Sequence, residues 1–284
     1  MAKKKRSGKV SASASPSQKE AAKRSSSSKW LIMTGMALCI AAVLFLARSE
    51  NTESKPVEYK WKVVNKFPHD MTAYTQGFFY RNGQFYESTG GMGKSTVRRV
   101  DPQTGSVLRI RNMASNYFGE GLAFYKGVLW QITWENGEAI VYDSDTLEPI
   151  RTYSYQGPGW GLTTDGEHLI MSDGTDKIVF RDPKNFQILR SMKVTAPWPV
   201  SKLNELEYIN GEIWANVYQT NYVLRISPET GKVLGRINFS GILEREDRHG
   251  GEDVLNGIAW DEGNKRLFIT GKYYGKVYEV VVQE

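Results

Sequence analysis

The chain has 284 residues, 40% apolar and 12% aromatic, and carries a formal net charge of +6. This is enough for one large globular domain or two small ones. The single cysteine, Cys39, excludes an intramolecular disulfide and a cysteine-based zinc site. The three histidines are scattered and include no pair at metal-ligand spacing, which argues against a catalytic zinc.

The basic charge is concentrated in the N-terminal part of the chain. Residues 1–48 carry ten of the 37 Lys and Arg and one of the 31 Asp and Glu, so they contribute +9 and the rest contributes −3. The mildly acidic remainder gives no sign of a nucleic-acid partner. Residues 1–29 are rich in Ser, Lys and Ala, and we expect this basic tail to be disordered because it cannot bury enough apolar surface.

The next segment, residues 30–47, reads WLIMTGMALCIAAVLFLA and contains no charge. At ~1.5 Å per residue it would be about 27 Å long as a helix, which is enough to cross a bilayer. We therefore predict a transmembrane signal anchor, followed by a linker at 48–57. The basic excess on its N-terminal side places the tail in the cytosol and the rest on the extracytoplasmic side, in a secretory lumen, the periplasm or the cell exterior.

Two alternatives to this anchor are weaker. A cleaved signal peptide would have an unusually long basic leader, and Phe45-Leu46-Ala47 lacks the small-x-small cleavage pattern. A bacterial lipidation site at Cys39 would normally follow a small residue, whereas Leu38 precedes it.

From residue 58 onward the sequence alternates short strand-like runs with tight turns. Turn glycines recur at positions 83, 127, 166, 211 and 263, and a second turn signal follows each of the first four, at Asp101, Asp143, Asp182 and Ser227. Four antiparallel strands in each 40–50 residues is typical of a propeller blade. We predict that residues 58–284 form a five-bladed β-propeller, with segment 59–67 supplying the last strand that closes the ring.

Polar or aromatic residues stand directly before or at the start of the first strand in every repeat. They are Gln76, Glu120, Trp160, Asn204 with Glu205, and Asn256. Repetition around a ring would bring these positions to one mouth of its axial channel. We therefore expect a ligand site there, although the fold by itself does not identify the ligand.

The sequence segments around these positions resemble those of a known protein family. The segments TQGFFY, FYESTG, STVRRVDPQTG, FGEGLA, LWQITW, GWGLTTDG, LNELEY, GEIWANVYQTNYVLRI and ITGKYY, in that order, are similar to the plant-type glutaminyl-peptide cyclotransferases. The resemblance covers about residues 60–282. It implies a zinc-free five-bladed propeller that converts N-terminal glutamine of peptides or proteins to pyroglutamate and releases ammonia.

This reaction needs a group that takes a proton from the α-amine and gives one to the departing ammonia. Glu120, held between two glycines, is our candidate for this general acid–base role. Lys272, Gln76 and Asn204 are the candidates for stabilising the tetrahedral oxyanion, and Lys272 could instead keep Glu120 ionised. Glu205 and Glu207 share one face of a strand, where structural roles are favoured over binding the substrate's ammonium group.

Aromatic residues in the resembling segments would line the pocket and exclude water. The candidates for substrate binding are Tyr74, Phe118, Trp134, Trp160 and Tyr218. Two of them depart from the family pattern, which has tryptophan where Tyr218 stands and phenylalanine where Tyr74 stands. Both positions keep a ring, so we expect an effect on affinity more than on reaction type.

Two other functions stay open at this point. A non-catalytic peptide-binding propeller would show affinity without turnover, and a lactonase-like hydrolase would need several axial Asp, Asn or Glu ligands, which this sequence supplies poorly. We expect no required cofactor, although backbone carbonyls in the channel could hold a structural calcium. We expect a monomer that acts on peptides with N-terminal glutamine. Asn238 begins a glycosylation sequon, relevant only in a eukaryotic secretory host.

Overall fold

The structure, a computed structural model, describes residues 55–284. Within that range the chain forms β-strands joined by turns, with one short 3-10 turn at Arg245–Asp247. The all-β content agrees with the alternation of apolar and polar residues in the sequence, since successive side chains of a strand point to opposite faces.

After a single first strand, the strands follow one another in four groups of four and a last group of three. They are β1 (Val57–Pro68); β2 (Thr75–Arg81), β3 (Gln84–Thr89), β4 (Thr96–Val100) and β5 (Val107–Asn112); β6 (Gly119–Tyr125), β7 (Val128–Thr133), β8 (Glu138–Asp143) and β9 (Pro149–Ser154); β10 (Leu162–Thr164), β11 (Leu169–Ser172), β12 (Lys177–Arg181) and β13 (Ile188–Lys193); β14 (Leu203–Ile209), β15 (Glu212–Val217), β16 (Tyr222–Ile226) and β17 (Val233–Asn238); and β18 (Leu255–Asp261), β19 (Arg266–Gly271) and β20 (Lys276–Gln283).

These strands form four sheets, and this corrects the predicted fold class. Strands β2–β5, β6–β9 and β10–β13 are separate four-stranded sheets, whereas the fourth sheet has eight strands in the order β14-β15-β16-β17-β1-β20-β19-β18. The predicted pairing of segment 59–67 with the last strand is present, because β1 is antiparallel to β20. However, β1 also pairs in parallel with β17 and so joins two expected blades into one sheet. The prediction of five separate blades is therefore wrong.

The N-terminal parts of the predicted fold lie outside the described residues. These are the disordered tail at 1–29, the transmembrane helix at 30–47 and most of the linker at 48–57. Between residues 55 and 284, no helix has both the length and the apolar character needed to span a membrane. The described fold therefore does not include the helical element of the predicted class.

The turns that begin at Asp101, Asp143, Asp182 and Ser227 join the third and fourth strands of the four four-stranded groups. Asp101 Oδ1 accepts hydrogen bonds from the N–H groups of Gln103 and Thr104, both at 2.9 Å, and Asp143 Oδ1 accepts the N–H of Thr146 at 2.8 Å. A short acidic side chain that caps its own turn in this way favours a tight chain reversal. These contacts explain the periodic Asp signals.

The first strands of the groups lie close together around a common axis. In the described part of the chain, β2, β6, β10, β14 and β18 contact one another in a closed cycle. Glycines permit this approach: a Cβ added at Gly77 would come within 2.8 Å of Leu122 Cβ, and one added at Gly121 within 2.8 Å of Leu162 Cβ. Gly161 is equally crowded, by Leu206 Cγ at 2.9 Å.

The hydrophobic core lies between neighbouring strand groups. Phe78, Phe85 and Phe268 are an example from one of these interfaces; each is 1% exposed, and the Phe78 and Phe85 ring centroids are 4.8 Å apart. Burying one such side chain contributes roughly 1.5–3 kcal/mol. This packing fixes the inner strands, and with them the residues at their ends.

Candidate active site

One end of the inner strands carries all of the candidate residues. In every group the first strand begins at this end, and the second strand, which is antiparallel to it, finishes there. Residues that precede a first strand therefore meet residues that follow a second strand. A cavity of about 270 Å³ at this end is lined by Tyr74, Gln76, Phe118, Glu120, Trp134, Trp160, Asn204, Tyr218 and Lys272. The structure thus brings together the nine predicted site residues, whose individual roles stay predictions.

Close packing accounts for the two glycines that flank Glu120. A Cβ at Gly119 would lie 2.7 Å from Gln131 Nε2 and 2.8 Å from Met113 Sδ, while Gly121 faces the next inner strand. The Gly121 N–H also donates to Trp160 O at 2.8 Å. Glu120 therefore lies on a closely packed strand and not in a solvated turn.

Glu120 is 4% exposed. Its Oε1 accepts a hydrogen bond from Gln76 Nε2 at 2.8 Å. Burial raises the pKa of the Glu120 carboxyl well above its usual range, because desolvation disfavours the charged form; attraction to Lys272 and the bond from Gln76 act in the opposite direction. A carboxyl whose pKa is raised in this way holds a proton more readily than an ordinary glutamate, which suits a group that must both accept and return one.

Lys272 directly follows strand β19 and is 1% exposed. Its Nζ lies 4.2 Å from the centre of the Tyr74 ring and 4.9 Å from that of Tyr218. Desolvation lowers the pKa of Lys272 to about 8, although the charges of Glu120 and Asp253 favour its protonated form. The cavity therefore contains one buried cation beside one buried carboxyl.

The aromatic residues line the wall of the cavity as two groups of contacting rings. Ring centroids are 6.0 Å apart for Tyr74 and Phe118, 5.7 Å for Phe118 and Trp134, and 5.4 Å for Trp160 and Tyr218. Trp134 is 40% exposed and so marks the mouth of the cavity. The wall gives the apolar lining that small-ligand pockets usually have, with a few polar groups inside it.

The side-chain amides of Gln76 and Asn204 differ in the hydrogen-bonding atoms that they leave free for a ligand. Gln76 uses one of its N–H groups on Glu120, and its Oε1 accepts from Asn256 Nδ2 at 3.3 Å. Asn204 Oδ1 is buried with no hydrogen-bond partner in the described part of the chain. An unsatisfied buried acceptor costs about 1–3 kcal/mol. A donor on a bound ligand would satisfy it, so this atom points to recognition of an N–H group.

Glu205 and Glu207 do not line this cavity. Glu205 accepts the backbone N–H of Ile258 at 2.8 Å and of Phe78 at 3.3 Å, which links three inner strands. Glu207 accepts the N–H of Trp260 at 3.1 Å. Their contacts are those of structural residues, the interpretation that the sequence favoured.

Three further residues shape the cavity without having been singled out by the sequence. The Tyr273 ring lies 5.3 Å from that of Tyr74, and the charge of Asp253 acts on Lys272. Gly90, in the turn after β3, lies against Phe118. Tyr273 lies in the quoted ITGKYY segment and Gly90 ends the quoted FYESTG segment, and these were the available signals; nothing comparable marked Asp253.

Gly90→Ala is expected to lower kcat/KM for a substrate that reacts in this cavity by roughly tenfold or more. The reason is that small displacements of the groups that position a substrate, here Phe118 and Gln76, are costly. The added Cβ would come within 2.7 Å of Phe118 Cζ and 3.1 Å of Gln76 Cγ. Steady-state kinetics of the full chain would measure the effect. Gly263→Ala, whose Cβ meets only Asp261 Oδ1 at 3.5 Å, is the matched control. Equal kinetics for the two variants would contradict the assigned contact.

Among residues 55–284, no group of three or more His, Cys, Asp or Glu side chains is arranged to hold a metal ion. The structural calcium suggested for the axial channel would depend on backbone carbonyls and stays a prediction.

The all-β fold and this cavity describe a β-protein with a small-ligand site, and sequence comparison identifies its family. The chain belongs to the glutamine cyclotransferase family, whose profile matches residues 36–282. It is 43% identical over 230 residues to the glutaminyl-peptide cyclotransferase of Arabidopsis thaliana, covering 78% of this chain and 71% of that protein. It is also similar to the crystal structure of Myxococcus xanthus glutaminyl cyclase, with a TM-score of 0.75 and 35% identity over 81% of this chain and 99% of that one.

Proposed function

We infer that this chain is a glutaminyl-peptide cyclotransferase, which converts the N-terminal glutamine of peptides or proteins to pyroglutamate and releases ammonia. The observation that carries this conclusion is that the buried Glu120 carboxyl and the buried Lys272 ammonium line one aromatic cavity in a member of this family. Neither a lactonase-like hydrolase nor a non-catalytic binding protein is favoured by the family membership.

Glu120 is the proposed general base and acid. The substrate's α-nitrogen attacks the carbon of its own side-chain carboxamide, and the new N–C bond closes a five-membered ring. Glu120 takes the proton that this nitrogen loses and gives it to the departing nitrogen. The C–N bond of the carboxamide then breaks and ammonia leaves, so no proton is gained or lost overall. One carboxyl can serve both steps because the two nitrogens belong to the same residue.

Lys272 is the proposed partner of the oxyanion that forms on the carboxamide oxygen. A buried cation is most effective where water is excluded, because the local dielectric is low. Gln76 already donates to Glu120, so we assign it first to holding the carboxylate in position. Asn204, with its free Oδ1, would accept an N–H of the bound glutamine.

The test is direct. The full chain is incubated with a short peptide that begins with glutamine, and product is followed as released ammonia and as the loss of one ammonia by mass spectrometry. The matched peptide beginning with asparagine is the control, since the same attack would close a strained four-membered ring. Ammonia from the glutamine peptide alone supports the proposal. Absence of turnover would overturn it, and binding without turnover would favour the non-catalytic alternative.

The pH dependence of kcat is expected to be bell-shaped. Glu120 must be ionised to accept a proton, and because burial raises its pKa, activity falls on acidification at a higher pH than for an ordinary glutamate. Lys272 must be charged, and its pKa of about 8 places the loss of activity on the alkaline side. Because Glu120 and Lys272 act on each other, the apparent pKa values of the two limbs belong to the pair and not to either residue alone.

Lys272→Arg distinguishes the source of the alkaline limb. A guanidinium keeps its charge to above pH 12. We therefore expect the alkaline limb to move upward or disappear in this variant, whatever its maximal rate. An alkaline limb that stays in place would assign it to a group other than Lys272.

Other properties of the protein rest on the sequence alone. That the chain acts as a monomer, and that it meets its peptide substrates on the extracytoplasmic side of a membrane, are predictions.

A further inference from the structure

A second and larger cavity adjoins the candidate active site. Its volume is about 580 Å³, and Tyr74 lines both cavities. Tyr273, whose ring contacts Tyr74, and the turn at Gly90 and Gly91 also line it. The two cavities are thus separated by little more than one tyrosine.

The charges around the second cavity leave one cation uncompensated. Arg98 pairs with Asp70 at 2.7 Å and with Glu87 at 3.3 Å. The His249 Nε2 lies 2.7 Å from the carbonyl oxygen of Tyr273. The exposed Lys94 ammonium has no hydrogen bond or ion pair within residues 55–284. The cavity is therefore suited to an anionic group near Lys94.

The turn that carries Lys94 is held against the active site. The Gly90 N–H donates to Tyr74 O at 2.8 Å, and the Lys94 N–H donates to Gly91 O at 2.9 Å. The Ser95 hydroxyl also donates to Gly91 O, at 2.8 Å. The backbone of Lys94 consequently has a defined position relative to Tyr74, and the ammonium lies within the reach of its side chain from that point.

A third cavity offers a competing route out of the active site. It has a volume of about 360 Å³ and shares Tyr218 with the reaction cavity. Its cations are already engaged, because Lys202 Nζ donates to Gln219 Oε1 at 2.6 Å and Arg236 pairs with Glu58. Its volume and its charges therefore make it the less suitable path for a substrate.

We propose that the second cavity binds the residues that follow the N-terminal glutamine of a peptide substrate, and that Lys94 selects an acidic side chain among them. The reaction consumes only the first residue, so the rest of the peptide must extend from the mouth, at about 3.3 Å per residue. The larger cavity accepts this extension directly beyond Tyr74. The inference rests on the proposed cyclotransferase activity.

The test compares peptides of equal length that carry Glu, Ala or Lys at each of the second to fourth positions. We expect kcat/KM of the full chain to be about two- to fivefold higher for Glu than for Lys at one of these positions, the range typical of an exposed ion pair. The preference should shrink as salt is raised, because exposed charges are screened. A wild-type chain with equal kcat/KM for all three would overturn the proposal.

Variants assign the preference to one cavity. Lys94→Gln should abolish it and Lys94→Glu should reverse it, while the matched variant Lys202→Gln should leave it unchanged. Glutamine amide, which has no further residues, should be turned over equally by wild type and the Lys94 variants. A preference that survives Lys94→Gln, or that disappears in Lys202→Gln, would place the peptide elsewhere.

A binding measurement separates this proposal from the proposed activity. The dissociation constants of Glu- and Lys-containing peptides can be measured calorimetrically on Glu120→Gln, with and without Lys94→Gln. A Lys94-dependent difference would support the peptide cavity even if no cyclisation were found. Equal constants would overturn it even if cyclisation were rapid.

Discussion

Replacing Glu120 with glutamine is expected to lower kcat by about 10²–10⁴, the usual contribution of a positioned general acid–base. Glutamine has nearly the same shape, and its amide oxygen can still accept the hydrogen bond from Gln76. It cannot take the proton from the substrate's α-nitrogen. Because the variant removes a buried ionisable group, we expect no loss of thermal stability. Steady-state kinetics and thermal unfolding of the full chain would measure both properties.

Glu207→Gln is the matched control for this experiment. Glu207 is half-buried, and desolvation raises its pKa to about 8, so a neutral amide is close to its state at pH 7. It lies outside the reaction cavity and bonds to Trp260 N–H. We expect kcat to be retained in this variant. If Glu120→Gln kept activity within a few-fold of wild type, the general-base role of Glu120 would be excluded.

Replacing Lys272 with methionine is expected to lower kcat by about 10²–10³, as the loss of one oxyanion-stabilising group does. Methionine retains the apolar stem against Tyr74 and Tyr218 and removes the charge. A second effect follows, because attraction to Lys272 lowers the pKa of Glu120. Without it that pKa rises further, so the acid limb of the pH profile should move to higher pH.

Lys276→Met provides the comparison for Lys272→Met. Lys276 begins strand β20, only four positions away, and does not line the cavity. Its kinetics should match those of wild type. A fall in kcat for Lys272→Met without a shift of the acid limb would mean that the lysine acts on the oxyanion alone. Wild-type kinetics in Lys272→Met would remove it from the mechanism.

The candidate site could be predicted because its residues occupy the same place in successive repeats. Glu120 and Gln76 each precede a glycine at the start of an inner strand, and this regularity is visible along the chain. Their roles came from the chemistry of the family that the segments resemble. The hydrogen bond between them joins strands 44 residues apart in sequence, and no local pattern indicates such a contact.

The arrangement of the sheets was predicted only in part. Alternating side chains identify a strand and its two faces, but they do not say which backbone edges will pair. The segment β1 pairs with β20 as expected and also with β17, which joins two expected blades into one eight-stranded sheet. The pairing of β1 with β17 depends on where the edges of these two strands lie after folding.

The sequence by itself determined the all-β class of residues 55–284, the turn positions and the membership in a cyclotransferase family, because periodicity and motifs are local properties of the chain. Only the tertiary structure decided that Glu120 is nearly free of solvent, that Lys272 lies over two tyrosine rings, and that a cavity containing Lys94 adjoins the active site. Desolvation and the distances between charges depend on residues far apart in sequence, and these are the quantities that set reactivity and substrate preference.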